Sequence, residues 1–346
     1  MGWLSARSAA WCRVGYPSIR RAPAGARSPT SEAAINIGVL VVNNRPWVTA
    51  DTIVSLGTRA EALGFDSLWV ADQVVIPSRL EPSYPYGTTQ HYDIEGNQNF
   101  FEALTVLTYL AGRTSRVQLG TSVLVVPYRQ PLVVAKQWAT LDAFSGGRTI
   151  LGVGAGFMRE QFEALGVDTF DRRGAATDEA IRLFRAVWAP DAEVSFTGEV
   201  YRFPPLRFLP KPVRPGGPPI WVGGNGRRSI RRAAELGDGW HSVRIGLDEL
   251  RTGVATLYEL LDRNGRQPTD VVVSAKFRVY APGTGPRGEP HESELTGSAE
   301  KMAAKLRSYR EAGLQDMVVD PTQHDAPAAA LEAIEFFARE VRPLLG

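Results

Sequence analysis

A chain of 346 residues with 44% apolar side chains can bury one large core, and it contains no apolar run long enough for a membrane helix. Its net charge of +2 is local: Arg7, Arg13, Arg20, Arg21 and Arg27 against Glu32 put the first 33 residues at +4 and the remainder at −2, so the body is no general binder of nucleic acid or other polyanions. The single cysteine, Cys12, lies in the same leader, which leaves the body without a disulfide, a thiolate metal site or a thiol nucleophile and makes a reducing cytoplasm the expected compartment.

Residues 1–34 are rich in Arg and Ser and nearly free of acids, a superficial likeness to an organellar transit peptide. They lack the apolar core of a secretory signal and read as a disordered extension or a start placed too far upstream. The folded domain is expected over 35–346.

From Ile35 onward, β-branched runs alternate with segments of helical period. Strand Ile35–Val42 precedes helix Thr49–Leu63, and strand Phe65–Ala71 precedes helix Phe100–Ala111. Strand Val117–Leu124 precedes helix Pro131–Phe144, in which Pro131 suits a first turn, Val134, Trp138 and Leu141 recur on one face, and Gly146 and Gly147 provide the stop. Strand Thr149–Gly154 is followed by helix Arg173–Trp188, Pro219–Gly223 by Arg227–Leu236, and Gly239–Val243 by Leu247–Asp262. Val271–Tyr280 with Ser298–Ala312, and Leu314–Asp320 with Ala326–Val341, complete the series. Eight strands, each followed by a helix, predict a (β/α)8 TIM barrel with insertions.

Three insertions interrupt the alternation. The segment from Gln73 to Asn99 is rich in Pro, Tyr and Gly and has the length of a lid or binding loop, which places Tyr84, Tyr86, His91 and Tyr92 on the substrate side, although His91 suits an ordinary surface position as well. Pro190–Pro215 reads as a small hairpin packed beside the barrel, and Ala281–Gly297 as a solvent loop.

Barrel chemistry belongs at the C-terminal ends of the strands. Asn43 and Asn44 follow the first strand, Asp72 and Gln73 the second, and Thr121, Ser122 and Val123 lie late in the third. Gly152, Gly154 and Gly156 end the fourth, Gly223, Gly224, Asn225 and Gly226 the fifth, and Trp240 and His241 lie on the sixth. The run PPIWVGGNGRRS passes from strand to helix through glycines, so several backbone N–H groups can converge on an anion there; a tight turn that merely needs glycine is the alternative. Neither this run nor GVGAGF completes G-x-G-x-x-G. His91, His241, His291 and His324 are scattered without ligand spacing, so no metal is expected, and neither a G-x-S-x-G elbow nor a Walker A loop is present.

The ordered set GFDSLWVAD, LGTSVLVVPYRQPLVVAKQWATLDAFSGGR, ILGVGAGFMREQFEALGV, RRGAATDEAIRLFRAVW, FTGEVYRF and PPIWVGGNG…AELGDGWH resembles the luciferase-like monooxygenase superfamily, and within it the branch that uses the deazaflavin coenzyme F420. The resemblance implies a TIM barrel of the bacterial luciferase-like type, with F420 or, alternatively, FMN across its C-terminal mouth. It implies a bulge with a non-proline cis peptide at Ser122–Val123 behind the ring, and makes Asp72 a contact to ring or substrate and the candidate catalytic group.

Many relatives have histidine after that aspartate; Gln73 here cannot titrate, which leaves Asp72 as orienter or base, or as a loop or N-cap residue. Cofactor contacts are expected from Asp72, Thr121, Ser122, Val123, Gly154, Ala155, Gly156, Glu160, Gly223, Gly224 and Asn225, and substrate contacts from Asn43, Tyr86, His91, Trp240 and His241. Glu160 suits a solvated first helical turn equally well. The implied activity is hydride transfer between F420 and a small carbonyl, activated alkene or alcohol, with an FMNH2- and oxygen-dependent monooxygenase as the alternative, in a protein that is commonly a homodimer.

Overall fold

The computed structural model describes residues 35–77, 99–286 and 288–346. Its strands are β1 (Asn36–Leu40), β2 (Ser67–Val70), β3 (Gln118–Thr121), β4 (Leu124–Val125), β5 (Thr149–Gly154), β6 (Glu193–Thr197), β7 (Arg202–Arg207), β8 (Ile220–Gly223), β9 (Gly239–Val243), β10 (Val272–Val279), β11 (Glu294–Leu295) and β12 (Asp316–Asp320). The helices are α1 (Ala50–Ala62), α2 (Ala103–Ala111), α3 (Pro131–Ser145), α4 (Arg159–Ala164), α5 (Arg173–Trp188), α6 (Arg227–Leu236), α7 (Leu247–Arg263), α8 (Ala299–Glu311) and α9 (Pro327–Phe336).

Eight strands pair in parallel in the order β1, β2, β3, β5, β8, β9, β10, β12, and the pairing of β12 with β1 closes the ring. This is the (β/α)8 barrel that the alternation predicts. Helix starts follow local chemistry: Thr49 and Thr52 form a reciprocal cap ahead of α1, the Gln130 side chain accepts the Val133 N–H ahead of α3, and Ser298 accepts the Lys301 N–H ahead of α8. Helix α2 starts three residues later than its hydrophobic pattern suggests, because the Glu102 carboxylate takes the Thr105 N–H as a cap and the Phe101 N–H is drawn to the Asn43 carbonyl. The last helix changes to a wider π turn at Phe337–Val341.

Two insertions can be followed. Strands β6 and β7 form the expected antiparallel hairpin, its turn held by the Glu179 carboxylate, which accepts the N–H groups of Glu199, Val200 and Tyr201. The segment 281–297 is not simply a solvent loop: β11 adds in parallel to Arg278 and Val279, and Ser293, Glu294 and Leu295 are buried. Residues 78–98, including Tyr84, Tyr86, His91 and Tyr92, lie outside the described residues.

The large core lies between barrel and helices, and a smaller one fills the barrel with Leu40, Trp69, Ile150, Trp221 and Val318. Trp69 and Trp221 sit 5.1 Å apart, and a side chain at Gly120 would meet the Trp69 ring at 2.6 Å. Small residues on one strand thus make room for indoles from its neighbours. Gly120→Ala is expected to destabilise the fold by about 1–3 kcal/mol through overpacking. Gly285→Ala, where nothing lies within 4 Å of the added carbon, is expected to leave it within about 0.5 kcal/mol. Urea midpoints of the two variants test the contrast.

Candidate functional site

The barrel mouth is organised by the break between β3 and β4, where the Ser122–Val123 peptide is cis. Val123 fills space that β5 and β8 leave open: a Cβ at Gly154 would lie 2.7 Å from the Val123 side chain, one at Gly223 would lie 2.8 Å from it, and one at Gly152 would lie 1.8 Å from the Thr121 carbonyl. The glycines expected to let a ligand approach the backbone therefore first admit the Val123 isopropyl group, and Val123 and Ser122, both only partly covered, form the surface there. Thr121 is fully buried and spends its hydroxyl on the Gly152 carbonyl at 2.7 Å.

Asp72 lies against this break as one half of an ion pair. Its oxygens accept from both terminal nitrogens of Arg129 at 2.7 and 2.8 Å, one of them also accepts the Val125 N–H at 2.9 Å, and its side chain has no exposure. Both oxygens are engaged, so the geometry suits the orienting role and disfavours proton abstraction by Asp72. Burial opposes the charge of Arg129, but Asp72 and Glu102 outweigh it and hold the guanidinium above its ordinary range. Behind the pair, the buried Gln161 amide donates to Gln73 at 2.8 Å and to the Val75 carbonyl at 2.7 Å, and its oxygen accepts from Tyr128.

His241 is inside the barrel, with its ring 5.2 Å from Trp69 and nearly parallel to it. Its Nε2 lies 2.9 Å from Ser122 Oγ and its Nδ1 lies 2.8 Å from Ser274 Oγ, which in turn lies 2.8 Å from Asp316 Oδ1. Ser274 is the register partner of both His241 and Asp316, so the three share one layer of the barrel. Burial, aided by the charge of Lys276, pushes the imidazole down to about 3. Burial also pushes the Asp316 carboxyl up to about 8, with Asp66 adding to the shift and the Ser274 hydrogen bond opposing it.

Trp240, expected on the substrate side, belongs elsewhere. Neighbouring residues of a strand face opposite ways, so with His241 inside, Trp240 points to the helix layer, where it is fully buried and donates to the Gly224 carbonyl at 2.8 Å. The Asn225 side chain is likewise occupied, exchanging two hydrogen bonds with the Val243 backbone at 2.9 and 3.1 Å, and the Gly224 N–H is spent on the His241 carbonyl. At the start of α6, which has no side-chain cap, backbone N–H groups remain for an anion.

Asn43 donates to the Ala71 and Phe101 carbonyls at 2.9 and 2.8 Å, while its own oxygen, like that of Asn44, is buried with no hydrogen-bond partner among the described residues. Such acceptors fit ligand donors. Ala155, Gly156 and Glu160 follow β5, with Gly156 in the left-handed region at φ 78° and its carbonyl accepting from Arg173. Glu160 stands in the first turn of α4.

Sequence reasoning missed Arg129, Ser274, Asp316 and the charged group on the far side of the mouth. There Lys276 faces Asp320 at 3.9 Å, Arg244 and Arg278 each lie 3.5 Å from Glu294, and Arg244 is the one non-glycine described residue with positive φ, at 49°. The period-two alternation of Val272–Val279 could have placed Ser274, Lys276 and Arg278 on one face. Among the described residues, no group of three His, Cys, Asp or Glu side chains could hold a metal ion, and no helix is long and apolar enough to cross a membrane.

These buried groups make stability depend on pH. Below pH 6.5 the unfolded chain binds a proton on His241 that the native state refuses until about 3, so stability falls as pH drops through that window. Between 3.8 and about 8 the native state keeps a proton on Asp316 that the unfolded chain has released, so this group lowers stability as pH rises. Urea midpoints measured across pH should show a flatter acid limb for His241→Gln and a smaller fall in stability between pH 6.5 and 8 for Asp316→Asn.

A profile of the luciferase-like monooxygenase family matches residues 27–284. The chain is 34% identical over 220 residues to an F420-dependent glucose-6-phosphate dehydrogenase of Kineococcus radiotolerans, covering 62% of this chain and 59% of that one. It is 30% identical over 170 residues to an FMNH2-dependent dimethylsulfone monooxygenase of Pseudomonas putida, covering 46% of each. The solved structure of an F420-dependent secondary alcohol dehydrogenase in complex with an F420–acetone adduct superposes with a TM-score of 0.72 at 19% identity, over 91% of this chain and all of that one. The profile spans well over half of the sequence and the barrel agrees with it: the chain is an oxidoreductase that belongs to the luciferase-like monooxygenase family.

Proposed function

We propose that the barrel, 35–346, transfers a hydride between coenzyme F420 and a small carbonyl, activated alkene or alcohol in the cytoplasm. The observation that carries this reading is the Val123 side chain, packed over the glycines of β5 and β8 so that the mouth has an apolar shelf. When bound, the deazaflavin would supply two-electron hydride chemistry, its carbon in place of flavin N5 disfavouring reaction with oxygen. The chain's own residues fit such a ring: Val123 and Ser122 would back it, the oxygens of Asn43 and Asn44, which have no partner among the described residues, would take ring N–H or side-arm hydroxyl donors, and the open N–H groups at the start of α6 suit a phosphate. Glu160 is the candidate for the same side arm. The Asp72–Arg129 pair holds Val125 and therefore the break that displays Val123.

The likeness to the FMNH2-dependent monooxygenase favours the second reading, oxygen chemistry with FMN on the same shelf. Fluorescence titration of the full chain with each cofactor separates them. F420 should bind at micromolar affinity or better, and FMN at least about tenfold more weakly, a difference of about 1.4 kcal/mol. The reverse order would transfer the case to the monooxygenase reading, and binding of neither would sink both.

We also propose a homodimer built on α2 and α3. A groove of about 620 Å³ between them is lined by Thr108, Tyr109, Lys136, Gln137 and Thr140, and Tyr109, Val133 and Phe144 are exposed beside it. Sedimentation should find a dimer that Tyr109→Glu with Phe144→Glu converts to monomer, and a monomeric wild type would refute the assignment.

A further inference from the structure

Four polar side chains form an unbroken hydrogen-bonded line in the barrel interior, from the mouth at Ser122 through His241 and Ser274 to Asp316, with links of 2.9, 2.8 and 2.8 Å. His241 and Asp316 are 2% and 3% exposed and Ser274 is fully buried, whereas Ser122 is partly open. Each hydroxyl carries one proton and a neutral imidazole carries one, so the line has two self-consistent senses. With Asp316 ionised, Ser274 donates to it, His241 Nδ1–H donates to Ser274, and Nε2 accepts the Ser122 proton. With Asp316 protonated, every link reverses and the Ser122 hydroxyl is free to donate into the mouth.

We propose that Asp316 and Ser274 are positioning residues that set, through the His241 ring, whether the Ser122 hydroxyl donates or accepts a hydrogen bond at the mouth. This rests on the reading that a ring or substrate occupies the Ser122–Val123 shelf. Conversion between the two senses balances. The Asp316 proton passes to Ser274, the Ser274 proton to His241 Nδ1, and the His241 Nε2 proton to Ser122. The original Ser122 proton leaves to a base or water at the mouth, and no electrons are transferred. The line thus gives a buried acid, 3% exposed, a proton path to the mouth.

The charged groups around the line keep the imidazole neutral, so the charge that changes with the sense is that of Asp316. Lys276, on the same face of β10, opposes an imidazolium and is itself held by Asp320 of β12, while Asp66, ahead of β2, favours the protonated form of Asp316. At neutral pH the sense with Asp316 protonated therefore holds, with Ser122 as donor to the mouth, and the sense with Asp316 ionised replaces it above about pH 8.

The test is 15N NMR of the full-length, 15N-histidine-labelled protein without cofactor, with the His241 signals assigned by their loss in His241→Gln. His241 should stay neutral from pH 5 to 10, carry its proton on Nε2 at pH 6 and on Nδ1 at pH 10, and exchange between the two near pH 8. Ser274→Ala, which removes one buried hydroxyl, and Asp316→Asn should each abolish the exchange while circular dichroism shows the fold retained; Ser274→Ala alone decides the matter if Asp316→Asn does not fold. One tautomer throughout, an exchange that persists in Ser274→Ala, or titration of His241 to imidazolium near pH 6.5 would overturn the proposal. F420 and FMN titrations of the same sample test the shelf reading separately: a tautomer exchange with no ring binding supports the line and refutes the shelf.

Discussion

The mouth of this barrel depends on how closely two strands pass each other. The Thr121 carbonyl stands where a side chain at Gly152 would be, 1.8 Å from an ideal Cβ, so β5 can lie against the end of β3 only because residue 152 has no side chain. That approach brings Val123 over Gly154 and Gly223, which makes the shelf. Glycines at three strand positions, each unfavourable for a strand by itself, are here the condition for placing one isopropyl group. The Asp72–Arg129 pair acts on the same element from the other side through the Val125 N–H.

Burial decides which polar groups remain chemically free. Asp72 would be a natural base if exposed, but two guanidinium contacts and a backbone N–H engage both of its oxygens, and removing Arg129 would strand a buried charge. Asn225 and Gly224 look like ligand groups in sequence and are consumed by the ends of β9. By contrast, the oxygens of Asn43 and Asn44 are buried and have no hydrogen-bond partner among the described residues. Polar groups in a strand-to-helix turn serve the turn first, and only what is left over serves a ligand.

The fold was legible because each signal was local and repeated. β5, β9, α5 and α6 coincide with their predicted bounds, and caps such as Thr49 and Ser298 mark helix starts one residue before the observed helices. The misreadings have a common cause, which is that partners distant in sequence cannot be seen in it. Arg129 lies 57 residues from Asp72, and Glu294 lies 50 from Arg244, so neither pairing leaves a local trace. Trp240 differs in kind: strand alternation gives His241 and Trp240 opposite faces, so only one of the two can face the barrel interior. The bulge at Ser122–Val123 came from the resemblance, since TSVL alone reads as ordinary buried strand.

The interior divides into two kinds of packing, and the division bears on chemistry at the mouth. Trp69, Trp221, Ile150 and Leu40 make one side dry, while β9, β10 and β12 contribute His241, Ser274, Lys276, Asp316 and Asp320. A barrel could be filled more stably with aliphatic layers, because each buried polar group costs desolvation that its hydrogen bonds only partly return. Polar groups sit beneath the shelf at that cost, and the pressure of burial keeps both His241 and Asp316 in their neutral forms near neutral pH. The change of hydrogen-bond sense in the floor of the site therefore leaves the His241 ring uncharged, and the one negative charge that accompanies it is carried by Asp316, at the end of the hydrogen-bonded line away from the shelf.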